Sequence, residues 1–570
     1  MKKRILLTCG LAAALFAGCS SDDKLTVDDG TVPNGTGYVS LRIALPSTSG
    51  GMRADNQAND QHDKGDANEY KVNDITLIFF DEHNKYVETH KLTDAGSWTP
   101  SIASGITTDY KIPAQQVSEK VKKVLVLLNT PTGINTSPNS FEAFNSALTA
   151  NVKDLIGDAK DDFFMSNTTI AIAGEDPMTL VPVETKNTAD EALAAAHTIH
   201  VERAVGKVSI SHLNGEHDGW TGWKYTVPAT STVHPGDEIE IKNWVLDNTN
   251  TQYYPVRKFN KAWGELKTAA DQAISPNRFQ SYAASYEAYK SADGAATVGY
   301  RTYWAEDPNY NQDVQDGILT KFNPTYERTP GNYIGIEEID QDLSTDLYCL
   351  ENTFDVKHMK QKNTTCAVLK AQYTPKGFTA GDDWYLIGNS TIPRTKAQVI
   401  AAANEAIAGT SVTDVTFENG KNTNLTAANF VGASDAQATT IASYLGSVTK
   451  YTKGYCYYIV RIQHFGSYVN AGLGYLYTPW GGEQYSWGST TDEKYVDYTT
   501  SSDPYLEGKY LGRYGIVRNN WYELELGTIS GPGDPEKPSS TTDPDDSKKT
   551  YISATVKIMD WAVHKQSVNL

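Results

Sequence analysis

The chain is poor in cysteine, in basic charge and in long apolar runs, and each shortage closes off a class of function. Its five cysteines, at positions 9, 19, 349, 366 and 456, include no CxxC pair, so neither zinc-finger spacing nor a thioredoxin-like redox motif is present. Lys and Arg number 50 against 69 Asp and Glu, a formal net charge of -19. A surface of that sign disfavours nucleic acid as a partner, because non-specific binding rests on Lys and Arg displacing counterions. The mainly apolar run from Ile5 to Phe16 is too short to cross a bilayer comfortably, and no later segment reads as a span.

Catalytic signatures are missing as well. There is no GxxxxGK[ST], HExxH, GxSxG or strand-borne GxGxxG, so no catalytic residue, cofactor or metal is assigned and the chain is not read as an enzyme. His197 and His200 stand three apart in "ADEALAAAHTIH" (189–200). Read as one helix, that segment would put both rings on a single face, where a surface or capping role outweighs a metal pair without a carboxylate in register. Asp307, Asn309, Asn311 and Asp313 imitate the start of a calcium loop, but Gln312 replaces its glycine and Ile318 its closing glutamate. In "YLYTPWGGEQYSW" (475–487), Trp480, Tyr485 and Trp487 could stack on sugar rings or belong to a loop wrapped over a core.

What is present is aromatic and strand-forming: 34 Tyr, 11 Trp and 39% hydrophobic residues support packed cores, and 570 residues suggest two or three domains. Lys2, Lys3 and Arg4 precede the apolar run, and Ala17, Gly18 and Cys19 follow it, the layout of an export signal in which Cys19 would become the acylated N-terminus. Residues 20–37 read as a tether. Then Val39, Leu41, Ile43 and Leu45 alternate with Ser40, Arg42 and Ala44, the pattern of a strand at a half-buried edge or hairpin position. A polar loop with Gly50, Gly51, Arg53 and Ala54 follows, open to a protease.

Short strands are expected at 72–81, 85–92, 123–129, 200–210, 238–248, 364–374, 454–465 and 519–529, separated by turn residues in the manner of a β-sandwich rather than a parallel α/β sheet. Helices are few: 189–200, 279–292 and 395–409, the last stopped by Gly409. A domain boundary is placed near residue 203. Residues 531–549 are a Pro, Asp and Ser linker able to reach about 60 Å. Beyond it Ile552, Ala554, Val556 and Ile558 alternate, and Met559, Trp561 and Val563 continue in shifted phase, which calls for a flipped face or a β-bulge at 558–559. Cys349 and Cys366 flank a plausible hairpin and could pair; buried free thiols are the alternative.

Three stretches resemble one family, the Bacteroidales fimbrial major (shaft) subunits or type V pilins. They are the lipoprotein signal with its tether, first strand and Arg53–Ala54; "HVERAVGKVSI" (200–210); and "GRYGIVRNNWYELELGTI" (512–529) with the linker and "ISATVKIMDWAVHKQSVNL". The acidic Ser20–Asp23 tract is similar to the surface-export tether of Bacteroidetes lipoproteins. Asp560 departs from the family pattern, which favours Pro or another non-acidic residue before the tryptophan.

The resemblance implies a mainly β fold of two transthyretin-like, Greek-key β-sandwich domains with a few short helices and long loops. Its divisions would be a signal peptide at 1–18, a propeptide with a removable first strand at 19–53, domains at 54–203 and 204–530, a linker at 531–550 and a C-terminal donor strand at 551–570. It implies lipidation (palmitate) at Cys19 and cleavage between Arg53 and Ala54 by an arginine-specific protease. The removable strand would carry Val39, Leu41, Ile43 and Leu45, and the donor strand Ile552, Ala554, Val556, Ile558, Trp561 and Val563. The implied partners are further copies in a filament with anchor and tip subunits. The implied setting is a cell-surface fimbria whose precursor is lipid-anchored at the outer membrane, serving adhesion and biofilm formation. A monomeric surface lipoprotein that binds glycans is the alternative.

Overall fold

The computed structural model describes residues 35–45, 67–259, 289–321, 339–476, 512–537 and 552–560, with breaks inside these spans. Cys19, Arg53, Ala54, Trp480, Tyr485, Trp487, Trp561 and Val563 lie outside the described residues, as does nearly all of the helix expected at 279–292. The architecture is mainly β, as the strand-and-turn spacing led one to expect.

The first core grows from the most apolar strands. We label β1 (Thr36–Ala44), β2 (Ile75–Phe80), β3 (Tyr86–Leu92), β4 (Thr99–Ala103), β5 (Ile106–Ser118), β6 (Lys123–Leu128), β7 (Met165–Asn167) and β8 (His197–Arg203). β2 reads ITLIFF and is buried along its whole length, which marks it as a central strand covered on both faces. The order is β3-β2-β6-β7-β8-β1-β5-β4, with Val181–Pro182 also pairing β6. β8 changes partner half way: His197–His200 run parallel to Leu41–Ala44 of β1, and Val201–Arg203 run antiparallel to β7. The sheet therefore turns a corner and encloses one core that includes Val39, Leu41, Ile43, Leu77, Leu125 and Ile199.

The helix expected over 189–200 is only α1 (Ala189–Ala194), capped by Thr188 and Glu191. Thr198 and Ile199 are β-branched and fit the pleat beside β1 better than a helical turn.

One buried residue, Ala204, separates β8 from β9 (Val205–His212), and there the chain passes to a second core. That core lies between two sheets. One joins β11 (Leu347–Leu350), β9, β14 (Asn520–Ile529) and β15 (Ile552–Asp560) in that order; the other includes β10 (Glu238–Asp247), β12 (Cys366–Thr374) and β13 (Tyr455–Arg461). Val208, Ile241, Leu369, Tyr522, Leu524 and Leu526 meet between them.

β12 and β13 pair directly, yet the chain between them builds a third core around α2 (Lys396–Ala406) and α3 (Asp435–Leu445), with Val399, Phe417, Phe430 and Ile441 inside. α2 was expected. α3 was not, although its capping box of Ser434 and Gln437 and the positive-φ Gly446 at its end were legible signals. No helix among the described residues is long and apolar enough to cross a membrane.

Candidate assembly site

β1 is central, whereas its sequence pattern suggested an edge or hairpin position. It pairs antiparallel with β5 on one side and parallel with β8 on the other. Val39, Leu41, Ile43 and Leu45 are each no more than 1% exposed. Between Val39 and Leu41 the register slips by one residue of β5, where Pro113 cannot donate to the ladder. Ser40 fills the gap by donating its hydroxyl to the Ile112 carbonyl at 2.9 Å. Beyond that, Arg42 reaches Asp109 at 3.0 Å, with the arginine side chain 49% exposed.

β1 is thus held by its apolar row and two backbone ladders, interactions that any strand of similar alternation could supply. Without it, β5 and β8 would face each other across a gap about two strand spacings, or roughly 10 Å, wide. Unpaired N–H and C=O groups would line both walls.

At the other end of the chain, β15 lies antiparallel on β14, in register from Asn520 opposite Asp560 to Leu526 opposite Ala554. Ile558, Val556 and Ala554 stand at the positions opposite Tyr522, Leu524 and Leu526, which are fully buried. Pairing runs unbroken through 558–559. The irregularity falls instead between Leu526 and Ile529, beside Gly527. β15 occupies the edge of its sheet.

The remaining sequence candidates are not brought together. His197 and His200 sit on a strand, where residues three apart point to opposite faces. Burial lowers both rings; His200 is pushed down to about 3, with Arg42 adding to the effect. Asp307 and Asn309 are buried and satisfied within the protein: Asp307 accepts from Asn250, Asn309 and the Thr353 amide, and Asn309 accepts from the Thr251 and Gln252 amides. Burial pushes Asp307 up to about 8 against those donors. Cys349, Cys366 and Cys456 are buried free thiols rather than a pair, and burial raises Cys349 and Cys456 to about 12. Among the described residues no His, Cys, Asp and Glu cluster is suited to a metal ion.

Sequence reasoning missed a chain of buried charges at the junction of the two cores. Glu202 receives both Nε and Nη2 of Arg257 at 2.8 Å, Arg257 approaches Glu351 at 3.4 Å, and Arg518 binds Glu351 at 3.0 Å. Beside it Lys207 pairs with Glu69 at 2.9 Å and Asp346 at 2.8 Å, while Tyr348 donates to Glu69 at 2.6 Å. Burial works against the Glu69 charge, but Lys207 and Arg203 hold its carboxyl below the usual range. The available signal was charge inside an apolar strand: Glu202, Arg203 and Lys207 interrupt "HVERAVGKVSI".

Two β cores in series, with β1 paired into the first sheet and β15 into a sheet of the second, define the class as a β-rich protein. Residues 38–204 match the family model of the major fimbrial subunit protein (FimA). Residues 494–567 match that of the C-terminal part of the major fimbrial subunit protein type IV, fimbrillin. Both matches are to major fimbrial subunit proteins, one over the first core and one over the C-terminal strands. The first match opens on β1 and closes at Ala204; the second contains β14 and β15.

Solved structures similar to it include a protein described as a cell adhesion protein from Parabacteroides distasonis, at 12% identity and TM-score 0.38, covering 94% of this chain and 100% of that one. A fimbrilin from Porphyromonas gingivalis is 13% identical with TM-score 0.34, covering 93% and 99%. A C-terminally truncated tip fimbrial protein from the same organism is 11% identical with TM-score 0.29, covering 91% and 99%. No curated protein matches the chain.

Proposed function

We propose that this fimbrial subunit is a non-enzymatic shaft protein that polymerises by exchanging β1 for the C-terminal strand of another copy. On this reading the precursor is exported as a lipoprotein acylated at Cys19, held at the outer membrane, and cut between Arg53 and Ala54 by an arginine-specific protease. Cleavage releases the lipid and β1 together. The incoming strand carries Ile552, Ala554, Val556, Ile558, Trp561 and Val563, and the completed filament joins anchor and tip subunits and supports adhesion and biofilm formation.

The observation that carries this reading is the position of β1: a central strand with a buried apolar row, followed in sequence by residues 46–66 before the next described element. Burying its four large side chains contributes on the order of 6–12 kcal/mol, at about 1.5–3 each. Its loss would leave a groove that favours strand addition. Filling a groove on one copy with a tail from the next is a heterologous contact, which propagates as an open filament. In the single chain β15 rests on β14, so donation requires that pairing to be given up.

The deciding experiment is the N-terminal residue of protein recovered from surface fibres. Ala54 is expected, and Arg53→Ala should trap a lipidated monomer. Cys19 on the assembled protein would overturn the exchange reading.

A further inference from the structure

Gly531–Lys537 has the composition of a free linker, GPGDPEK, yet it is fastened along its length. Asp534 forms a two-way backbone pair with Tyr457 of β13, with N–O distances of 2.8 and 2.9 Å. Tyr458 donates its hydroxyl to the Gly531 carbonyl at 2.9 Å, and Tyr451 donates to that of Gly533 at 3.2 Å. From the inserted third core, the Asn419 side chain donates to the Pro535 carbonyl at 2.7 Å. Lys537, its side chain 3% exposed, faces the buried Asp247 at the end of β10 at 3.8 Å. Gly533 is required for the fit, because a Cβ there would lie 2.3 Å from the Tyr457 carbonyl oxygen.

We infer that Gly531–Lys537 is an anchor that sets where the C-terminal arm leaves the subunit, and that Gly533, Tyr451 and Asn419 act as positioning residues for subunit spacing. The inference rests on the strand-exchange reading for its consequence, but the anchor itself is independent of it. Backbone pairing to β13 ties the start of the arm to the sheet opposite the one that holds β14 and β15. Only residues 538–551 then separate the anchor from β15, and at about 3.3–3.6 Å each they span at most about 50 Å. The about 60 Å expected of a wholly unattached 531–549 is not accessible while the anchor holds. A shorter leash raises the effective concentration of the donor strand near the next groove and narrows the range of separations it tolerates.

The test uses the full chain and its Gly533→Val form, read by amide hydrogen exchange and by electron microscopy of fibres formed after cleavage at Arg53. In the native chain the Asp534 and Tyr457 amides should exchange at least about 100-fold slower than in an unstructured chain. Gly533→Val should bring Asp534 to within about tenfold of that limit while β12 amides stay protected. Should valine disturb β13 itself, Tyr451→Phe combined with Asn419→Ala removes two of the bonds and should speed Asp534 exchange by about tenfold. Native fibres should show one axial repeat and the variants a longer or uneven one.

An unprotected Asp534 amide in the native chain overturns the anchor. Protected amides with the same repeat in all forms overturn its positioning role. Native chains that form no fibres, or form them without residues 551–570, sink strand exchange, while the exchange measurement still decides the anchor.

Discussion

The first strands of the two cores occupy equivalent places and are held by different forces. β1 lies between β8, parallel, and β5, antiparallel; β9 lies between β14, parallel, and β11, antiparallel. In each core the first strand is thus closed by a strand from near the end of the same unit. β9 follows β8 after a single residue and carries Lys207, buried between Glu69 and Asp346 with its ammonium 4.1 Å from the centre of the Trp521 ring. β1 itself buries an apolar row and the hydroxyl of Ser40, while its one charged side chain, Arg42, is half exposed and reaches the buried Asp109 of β5. Apolar burial is non-directional and transferable between strands, whereas a buried ion needs its own partner. On the strand-exchange proposal, β1 is the strand that would be replaced and β9 the one that would stay.

The most direct way to break this contrast is to remove β1. A chain beginning at Ala54 should lose most of the about 6–12 kcal/mol of apolar burial, unfolding early or being recovered only as multimers. A peptide of residues 36–45 should restore the thermal midpoint. An unchanged midpoint without peptide would place β1 outside the stabilising core.

Lys207→Ala tests the opposite strand. It strands Glu69 in the interior and should cost about 3–5 kcal/mol in urea unfolding, whereas Lys207→Met with Glu69→Leu should cost much less. In β1, Ile43→Ala opens a cavity beside β5 and should cost about 3 kcal/mol.

Acid should sharpen the contrast further, because His200 lies at the register position of Ala44 on β1. Its folded value of about 3 lies below the ordinary 6.5, so the unfolded chain takes up the proton first. The associated stability is present above about pH 6.5 and is lost as pH falls toward 3, at up to about 1.4 kcal/mol per unit. His200→Gln should flatten the pH dependence of the urea midpoint over that range. Smallest of all, Arg42→Ala should shift stability by about 1 kcal/mol, since Arg42 is half exposed and the buried Asp109 still accepts from Ser101 at 2.8 Å.

Much of this was legible before any coordinates. The strands expected at 72–81, 123–129, 238–248, 364–374 and 519–529 correspond to β2, β6, β10, β12 and β14, because short apolar runs, alternation and turn residues are local properties. The segment at 189–200 misled because its alanines favour a helix, while Thr198 and Ile199 are drawn into the ladder beside β1 by a contact more than 150 residues away in sequence. α3 was missed because its alanines and threonines give a weak apolar stripe, and its cap was the better signal.

For the assembly site, the apolar row of β1 and the alternation of β15 follow from side-chain order alone, because a strand's two faces are fixed by its period. That β1 has neighbours on both sides, that its neighbours run in opposite senses, and that GPGDPEK is fastened to β13 are decided only by the tertiary structure. Each depends on which distant backbone presents an unpaired edge, and hydrogen-bonding groups of the main chain are the same in every residue but proline. Sequence therefore set which strands could be buried, and the assembled sheets set which neighbours each of them pairs with.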